Sequence, residues 1–343
     1  MTAAVLYGRE DVRIERVPVP AVGPGQVLVR IGAALTCGTD LKVWRRGYHA
    51  RMIVPPAVFG HEFAGTVAAV GPGVEGFRPG MRVVAANSAP CGECFYCRRG
   101  AETICEDLLF LNGAYAEYIV VPERIVRKNL LEVPPHLPLH HAAFVEPLAC
   151  VVRGLDETGI SPGDTVAIVG AGPVGLMFIL LTRWLGARVI AVGRRLNRLQ
   201  AAARMGADHV VDDATPEDTV ATVRALTEGG RGADRVIECV GLPEVWEQAL
   251  ALVRKGGTVQ LFGGCPADTF VRLSTHLIHY GEITIKSAFH HTPGHIRRAL
   301  ELIAGGVINP DALIVGREPL ACLPAVLERM ASRNGLLKTV IVP

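Results

Sequence analysis

Residues 165–176 read Thr165-Val166-Ala167-Ile168-Val169-Gly170-Ala171-Gly172-Pro173-Val174-Gly175-Leu176, and this stretch decides the fold. Thr165 to Val169 is a short apolar β run. Gly170, Gly172 and Gly175 set out G-x-G-x-x-G directly behind it, and an apolar helical run, Val174 to Leu185, follows at once. A bare glycine turn would satisfy the spacing alone. In this strand–turn–helix setting the first glycine permits the tight turn and the second lets the backbone approach a pyrophosphate. The third allows close helix–strand packing. The helix opening at Pro173 and Val174 turns its free N–H groups toward the anion.

Downstream the same style continues. Arg188 to Val192, Val210-Val211, Asp234 to Val240, Thr258 to Phe262 and Ile283 to Phe289 read as strands. Leu196 to Met205, Pro216 to Leu226 and Glu244 to Leu252 read as helices between them. Strands alternating with helices imply a doubly wound parallel sheet. The second strand runs into Gly193-Arg194-Arg195. An acid there would bind the adenosine ribose hydroxyls and repel a 2′-phosphate. Gly193 leaves room instead, and Arg194 and Arg195 can bind a phosphate through charge-assisted bonds. This favours NADP(H) over NAD(H), against the plainer reading of two solvated loop arginines.

Upstream, to about Pro147, short β runs are punctuated by Gly and Pro, at Val27 to Ile31, Gly65 to Val70, Met81 to Ala85 and Tyr115 to Val121. That reads as a β-rich, irregular domain. After His290 come helical segments around Gly294 to Ala304 and Pro324 to Ser332, then a terminal strand, Leu337 to Val342.

The chain has 343 residues, half of them apolar, 20% charged and 6% aromatic, with a net charge of +2. Roughly two domains fit that length. The charge balance and scarce aromatics exclude a nucleic-acid footprint, and the composition excludes disordered and collagenous classes. The apolar runs are too short for a membrane span and the N-terminus lacks a signal-peptide core, so a cytoplasmic chain without membrane partners is expected. In that compartment the nine cysteines read as metal ligands or buried thiols rather than disulfides.

Cys91, Cys94, Cys97 and Cys105 lie within fifteen residues, a spacing suited to a tetrahedral structural zinc that staples a lobe with little core of its own. A nucleic-acid-binding zinc ribbon shares the motif, but Glu93, Glu102, Glu106 and Asp107 offset Arg98 and Arg99. A second, dispersed set comprises Cys37 in Cys37-Gly38-Thr39-Asp40, His61-Glu62 after Gly60, and Glu146-Pro147. Cysteine, histidine and carboxylate with an open position would make a catalytic zinc site. Spacing alone does not join them: a core cysteine, a satisfied histidine and a capping glutamate are equally available readings. Trp44, Tyr48, Phe289, His290 and His291 are ambiguous between pocket and core.

Taken together, Gly60-His61-Glu62, the preceding cysteine, the four-cysteine lobe and the later glycine fingerprint resemble the zinc-containing medium-chain alcohol and polyol dehydrogenases, over essentially the full length. The resemblance implies a GroES-like catalytic domain at 1–147, a Rossmann domain at 148–289 and a C-terminal return to the catalytic domain at 290–343. It implies two zinc ions per chain. Cys37, His61 and Glu62 would hold or flank the catalytic one, with Glu146 as a further ligand in the sorbitol-type context Phe144-Val145-Glu146-Pro147-Leu148. Whether Glu62 or Glu146 binds directly stays open. Cys91, Cys94, Cys97 and Cys105 would hold the structural ion. Thr39 matches the hydroxyl that touches the alcohol oxygen, and Lys42 stands where many relatives carry a relay histidine.

The implied activity is hydride transfer between a secondary alcohol, polyol or sugar and NADP(H), interconverting alcohol and ketone. A threonine-type amino-alcohol dehydrogenase is the alternative within the class, and a non-catalytic zinc-stabilised dinucleotide-binding protein the alternative outside it. A homo-oligomer is also implied, with a tetramer favoured.

Overall fold

The structure is a computed structural model that describes residues 1–49, 51–332 and 337–343. The chain divides into two units, one of Met1–Ala149 with His291–Pro343 and one of Cys150–His290.

In the second unit six parallel strands run in the order His209–Asp212, Arg188–Gly193, Thr165–Val169, Ala233–Glu238, Val253–Leu261 and Thr284–Ser287. This is the doubly wound sheet that the alternating pattern requires. The strand Thr165–Val169 is central: Val166 is paired with Val189 on one side and Arg235 on the other. Strand order reverses around it, which makes its C-terminal end the topological switch point of the sheet. Val166, Ala167, Ile168 and Val169 are all buried, as a strand covered on both faces must be. Behind it the helix Pro173–Trp184 starts with proline at its first turn, where no N–H is missed.

Two details differ from the sequence reading. The strand expected to begin at Thr258 begins at Val253, and its pairing with Ala233–Glu238 shifts register between Ala233 and Arg235. A short helix, Thr275–Gly281, precedes the edge strand, capped by the Ser274 hydroxyl, which accepts the Leu277 N–H.

In the first unit Val27–Leu35 is the central strand of a seven-stranded sheet. It pairs antiparallel with Phe63–Val70, Tyr118–Val121 and Lys338–Val342. A three-stranded sheet of Asp11–Arg16, Thr2–Gly8 and Ala57–Val58 lies in the same unit. The core gathers Leu6, Phe59, Phe63, Tyr115, Ile125, Leu323 and Leu327. Residues from both ends of the chain share it, and Lys338–Val342 is inserted beside Val27–Leu35. The strand Ile314–Pro319, which the sequence reading passes over, lies parallel to Lys338–Val342. Among the described residues, no helix is long and apolar enough to cross a membrane.

Candidate active site

Cys37 ends up at a helix start. It is the N-cap of Gly38–Arg46, and its sulfur accepts the Thr39 N–H at 3.5 Å. Asp40 closes a capping box by accepting the Cys37 N–H at 2.8 Å. The helix stops at Gly47, which has a φ of 89°, a left-handed end that glycine adopts at no steric cost. His61 and Glu62 lie just before the strand Phe63–Val70. Gly60, with a φ of 94°, leaves no room for a side chain: a Cβ would stand 2.6 Å from the Tyr115 ring.

These elements converge on one buried carboxylate. Asp40 Oδ1 lies 3.2 Å from His61 Nδ1, while Oδ2 accepts the Tyr115 hydroxyl at 2.5 Å as well as the Cys37 N–H. His61 therefore spends Nδ1 on Asp40, which leaves Nε2 as the nitrogen a cation could take in exchange for a proton, the arrangement that orients metal-binding histidines. Burial opposes charge on His61, yet the charge of Asp40 and hydrogen bonds with Asp40 and Cys37 hold its pKa well above the ordinary value. Burial, followed by the charge of Asp40, pushes the Tyr115 hydroxyl far up.

The donor atoms of Cys37, His61 and Glu62 lie within 4.8 Å of one another. Glu62 is fully buried. One oxygen pairs with the buried ammonium of Lys338, which also donates to Thr36 O at 3.0 Å. The other, Oε1, has no hydrogen-bond partner, so it is the atom free to bind a cation. Glu146 stands outside that tight set. It sits in the first turn of the helix Val145–Thr158, with Oε1 3.6 Å from His291 Nε2, and His291 in turn lies 3.1 Å from Asn87 Oδ1. Burial raises the Glu146 carboxyl to about 7, with His61 pulling it down and Glu62 pushing it up. Of the ambiguous residues, Trp44 is core and His291 is a buried polar partner, while Tyr48 and Phe289 are about half exposed.

The four lobe cysteines also meet. Sulfur separations are 3.5 Å for Cys91–Cys105 and 3.9 Å for both Cys91–Cys97 and Cys94–Cys105. Disulfide sulfurs sit about 2.05 Å apart. A tetrahedral ion with bonds of about 2.3 Å would separate them by about 3.8 Å. The residues fit zinc and not a disulfide. Backbone N–H groups of Glu93, Cys94 and Cys97 point at the sulfurs, which stabilises thiolates. The N–H groups of Cys97 and Glu106 bring Cys94 down to about 6, whereas burial takes Cys97 up to about 12.

In the second unit, Gly170 has a φ of 107° and a Cβ on Gly175 would lie 1.8 Å from Gly170 O. Both positions therefore demand glycine. Gly172, the N-cap of the helix beginning Pro173-Val174, faces open space, as backbone that approaches a pyrophosphate must. At the end of the second strand the expectation of guanidiniums without a carboxylate needs correction. Asp213, buried just past the neighbouring strand, donates its N–H to Gly193 O and accepts the Arg194 Nε–H at its backbone carbonyl at 3.1 Å, with its Oδ2 3.4 Å from the same Nε as an ion pair. Its Oδ1 is already held by Thr219 and Gln248, so the carboxylate anchors the Arg194 stem. The sequence reading also omits Arg198. It is half-buried, its Nε is without a partner, and burial followed by the charge of Arg195 lowers its pKa.

Asp40, Tyr115 and Lys338 are the other residues that motif reading passes over. Asp40 stands at the capping-box spacing, three residues after Cys37, but a cysteine cap conceals that signal. Lys338 carries no local signal, because only the strand pairing brings it to Glu62.

Comparison with known proteins gives the class first. Residues 23–135 match the alcohol dehydrogenase GroES-like domain and residues 173–305 the zinc-binding dehydrogenase domain. The chain is 32% identical to sorbitol dehydrogenase of Bacillus subtilis (strain 168), covering 100% of this chain and 97% of that protein. It is 37% identical to L-threonine 3-dehydrogenase of Pyrococcus abyssi, covering 90% and 87%. Among solved structures, a zinc-binding dehydrogenase of Sinorhizobium meliloti 1021 bound to NADP superposes with a TM-score of 0.89 at 33% identity, over 100% of this chain and 99% of that one. The chain therefore belongs to the zinc-containing medium-chain alcohol and polyol dehydrogenase family.

Proposed function

We propose that this chain interconverts a secondary alcohol, a polyol or sugar, and its ketone with NADP(H). The observation that carries the reading is the convergence of the Cys37, His61 and Glu62 donor atoms, with Asp40 orienting Cys37 and His61. Cys37, His61 and a carboxylate would hold the catalytic zinc, with Glu62 Oε1 the available oxygen and Glu146 the alternative ligand. Cys91, Cys94, Cys97 and Cys105 would hold the structural one. When bound, the catalytic zinc supplies Lewis-acid stabilisation of negative charge on the alcohol oxygen. Asp40 fixes the His61 ring. The half-buried Thr39, two residues beyond Cys37 on the same helix turn, accepts the substrate hydroxyl proton and passes it outward. Lys42, exposed four residues along the helix Gly38–Arg46 from Gly38, offers a solvent-side exit in place of a histidine. When bound, the nicotinamide would supply the hydride-acceptor chemistry, which is the cofactor's own.

Gly170, Gly172, Pro173, Val174 and Gly175 would seat the pyrophosphate. Gly193, Arg194 and Arg195, joined by Arg198, would surround a 2′-phosphate. The unpartnered Nε of Arg198, whose pKa the charge of Arg195 helps to lower, supports this, because a bound anion relieves repulsion between like charges. The bound NADP of the S. meliloti structure supports it too.

The threonine-type reading stands second, favoured by the L-threonine 3-dehydrogenase relative. A homotetramer in the cytoplasm is proposed from the family resemblance. The deciding experiment is a panel of polyols, sugars, simple alcohols and threonine, each with NADP and NAD. A threonine preference overturns the polyol reading, an NAD preference overturns the arginine reading, and no turnover from a fully zinc-loaded chain overturns catalysis.

A further inference from the structure

A third convergence of metal-binding side chains lies in the first unit, apart from the lobe cysteines and the Cys37 set. His140 and His141 sit in the short helix Leu139–Ala142, and Asp311 in the turn Pro310–Leu313. His141 Nε2 is 2.8 Å and His140 Nε2 3.6 Å from the same oxygen, Asp311 Oδ1. Consecutive helix residues diverge by about 100°, so two neighbouring imidazoles seldom meet at one atom. Here the rings stand edge to face, with centroids 4.5 Å apart at 74°, and both Nε2 atoms face Asp311 Oδ1. All three donor atoms lie within 4.8 Å of one another.

We propose that His140, His141 and Asp311 form a further cation site, binding a divalent zinc-class ion through His140 Nε2, His141 Nε2 and Asp311 Oδ1. A tetrahedral ion with bonds of about 2.0–2.1 Å separates its ligand atoms by about 3.3 Å, and the two nitrogen–oxygen distances straddle that value. Imidazoles with one carboxylate suit zinc, nickel or copper rather than calcium or magnesium. The Asn309 side chain accepts the Asp311 N–H at 3.1 Å, which holds the turn in place. The Asp311 side chain is 61% exposed, so water can complete the coordination and ions can enter from solvent. His141 and Asp311 are 170 residues apart in sequence. An ion there would tie the segment entering Val145–Thr158 to the C-terminal part of the same unit.

The test is equilibrium dialysis of the zinc-loaded full-length protein against Zn2+, with bound metal counted by mass spectrometry. Wild type is compared with His141→Ala, Asp311→Asn and the milder His140→Gln. Wild type is expected to hold one equivalent more than each variant. Affinity at that equivalent should fall by at least the roughly 10- to 100-fold that even an outer-shell loss costs. Circular dichroism identifies folded variants, and His140→Gln carries the comparison if the others misfold. Equal zinc uptake by wild type and the folded variants overturns the site and leaves His141–Asp311 a plain hydrogen-bonded pair.

Discussion

Asp40 shows how one buried residue can set the chemistry of its neighbours. Its carboxylate takes the Cys37 N–H, the Tyr115 hydroxyl and the Nδ1 side of His61, so cysteine and histidine are aligned by one anchor. Cys37→Ser or His61→Ala should abolish turnover while cofactor affinity, measured by fluorescence titration, stays near wild type. Asp40→Asn keeps the shape but weakens the anchor, and should cost about 10- to 100-fold in zinc affinity or activity. Near-normal turnover in either ligand variant would remove that residue from the site. The arginines are a second residue-scale case. Asp213 holds Arg194 by its Nε edge, which leaves the rest of the guanidinium for a phosphate. One charge-assisted hydrogen bond is worth about 1.5–3 kcal/mol, so the proposed phosphate contact should show as roughly a 10- to 150-fold preference for NADP(H) in kcat/KM. Replacing Gly193→Asp together with Arg194→Ala and Arg195→Ala should invert that preference in kcat/KM. A wild type that favours NAD(H) would make the arginines surface residues.

At the scale of elements, the cysteine lobe is built from two short helical turns, Cys97–Arg99 and Glu102–Ile104, with almost no buried apolar side chains. The proposed structural zinc would then be what holds its shape. Cys94→Ser should lower zinc content by one and lower the thermal midpoint, with specific activity of the folded fraction largely kept. A folded, zinc-replete but inactive variant would contradict a structural role. This lobe and the glycine turn were legible because their spacing in the chain is their spacing in space. The helix Gly38–Arg46 was not: Val43 and Trp44 are its main apolar anchors, and its start depends on a cysteine cap rather than a common one. The strand from Val253 was read too short because Gly256-Gly257 interrupts its apolar run, and pairing with Ala233–Glu238 carries it across.

Whole-molecule topology supplies what no local pattern could. The last strand crosses the first unit to lie against Val27–Leu35, and it brings Lys338 to Glu62 across 276 residues of sequence. Both side chains are buried. Burial disfavours the ammonium, but the charge of Glu62, then that of Cys37, raises the Lys338 pKa above its usual value. Removing one partner of such a pair leaves an uncompensated buried charge, which costs about 3–5 kcal/mol, whereas replacing both by neutral groups is often close to neutral. Lys338→Met should therefore lower the denaturant midpoint of the zinc-loaded protein sharply, and adding Glu62→Gln should restore much of the loss. The double variant separates the charge term from simple packing, because the methionine is present in both. If Lys338→Met unfolds at the wild-type midpoint, the ion pair does not stabilise the closure of the sheet. If the double variant is as weak as the single one, the lysine acts through its packed stem and its bond to Thr36 O, and the charge of Glu62 is held by something other than Lys338.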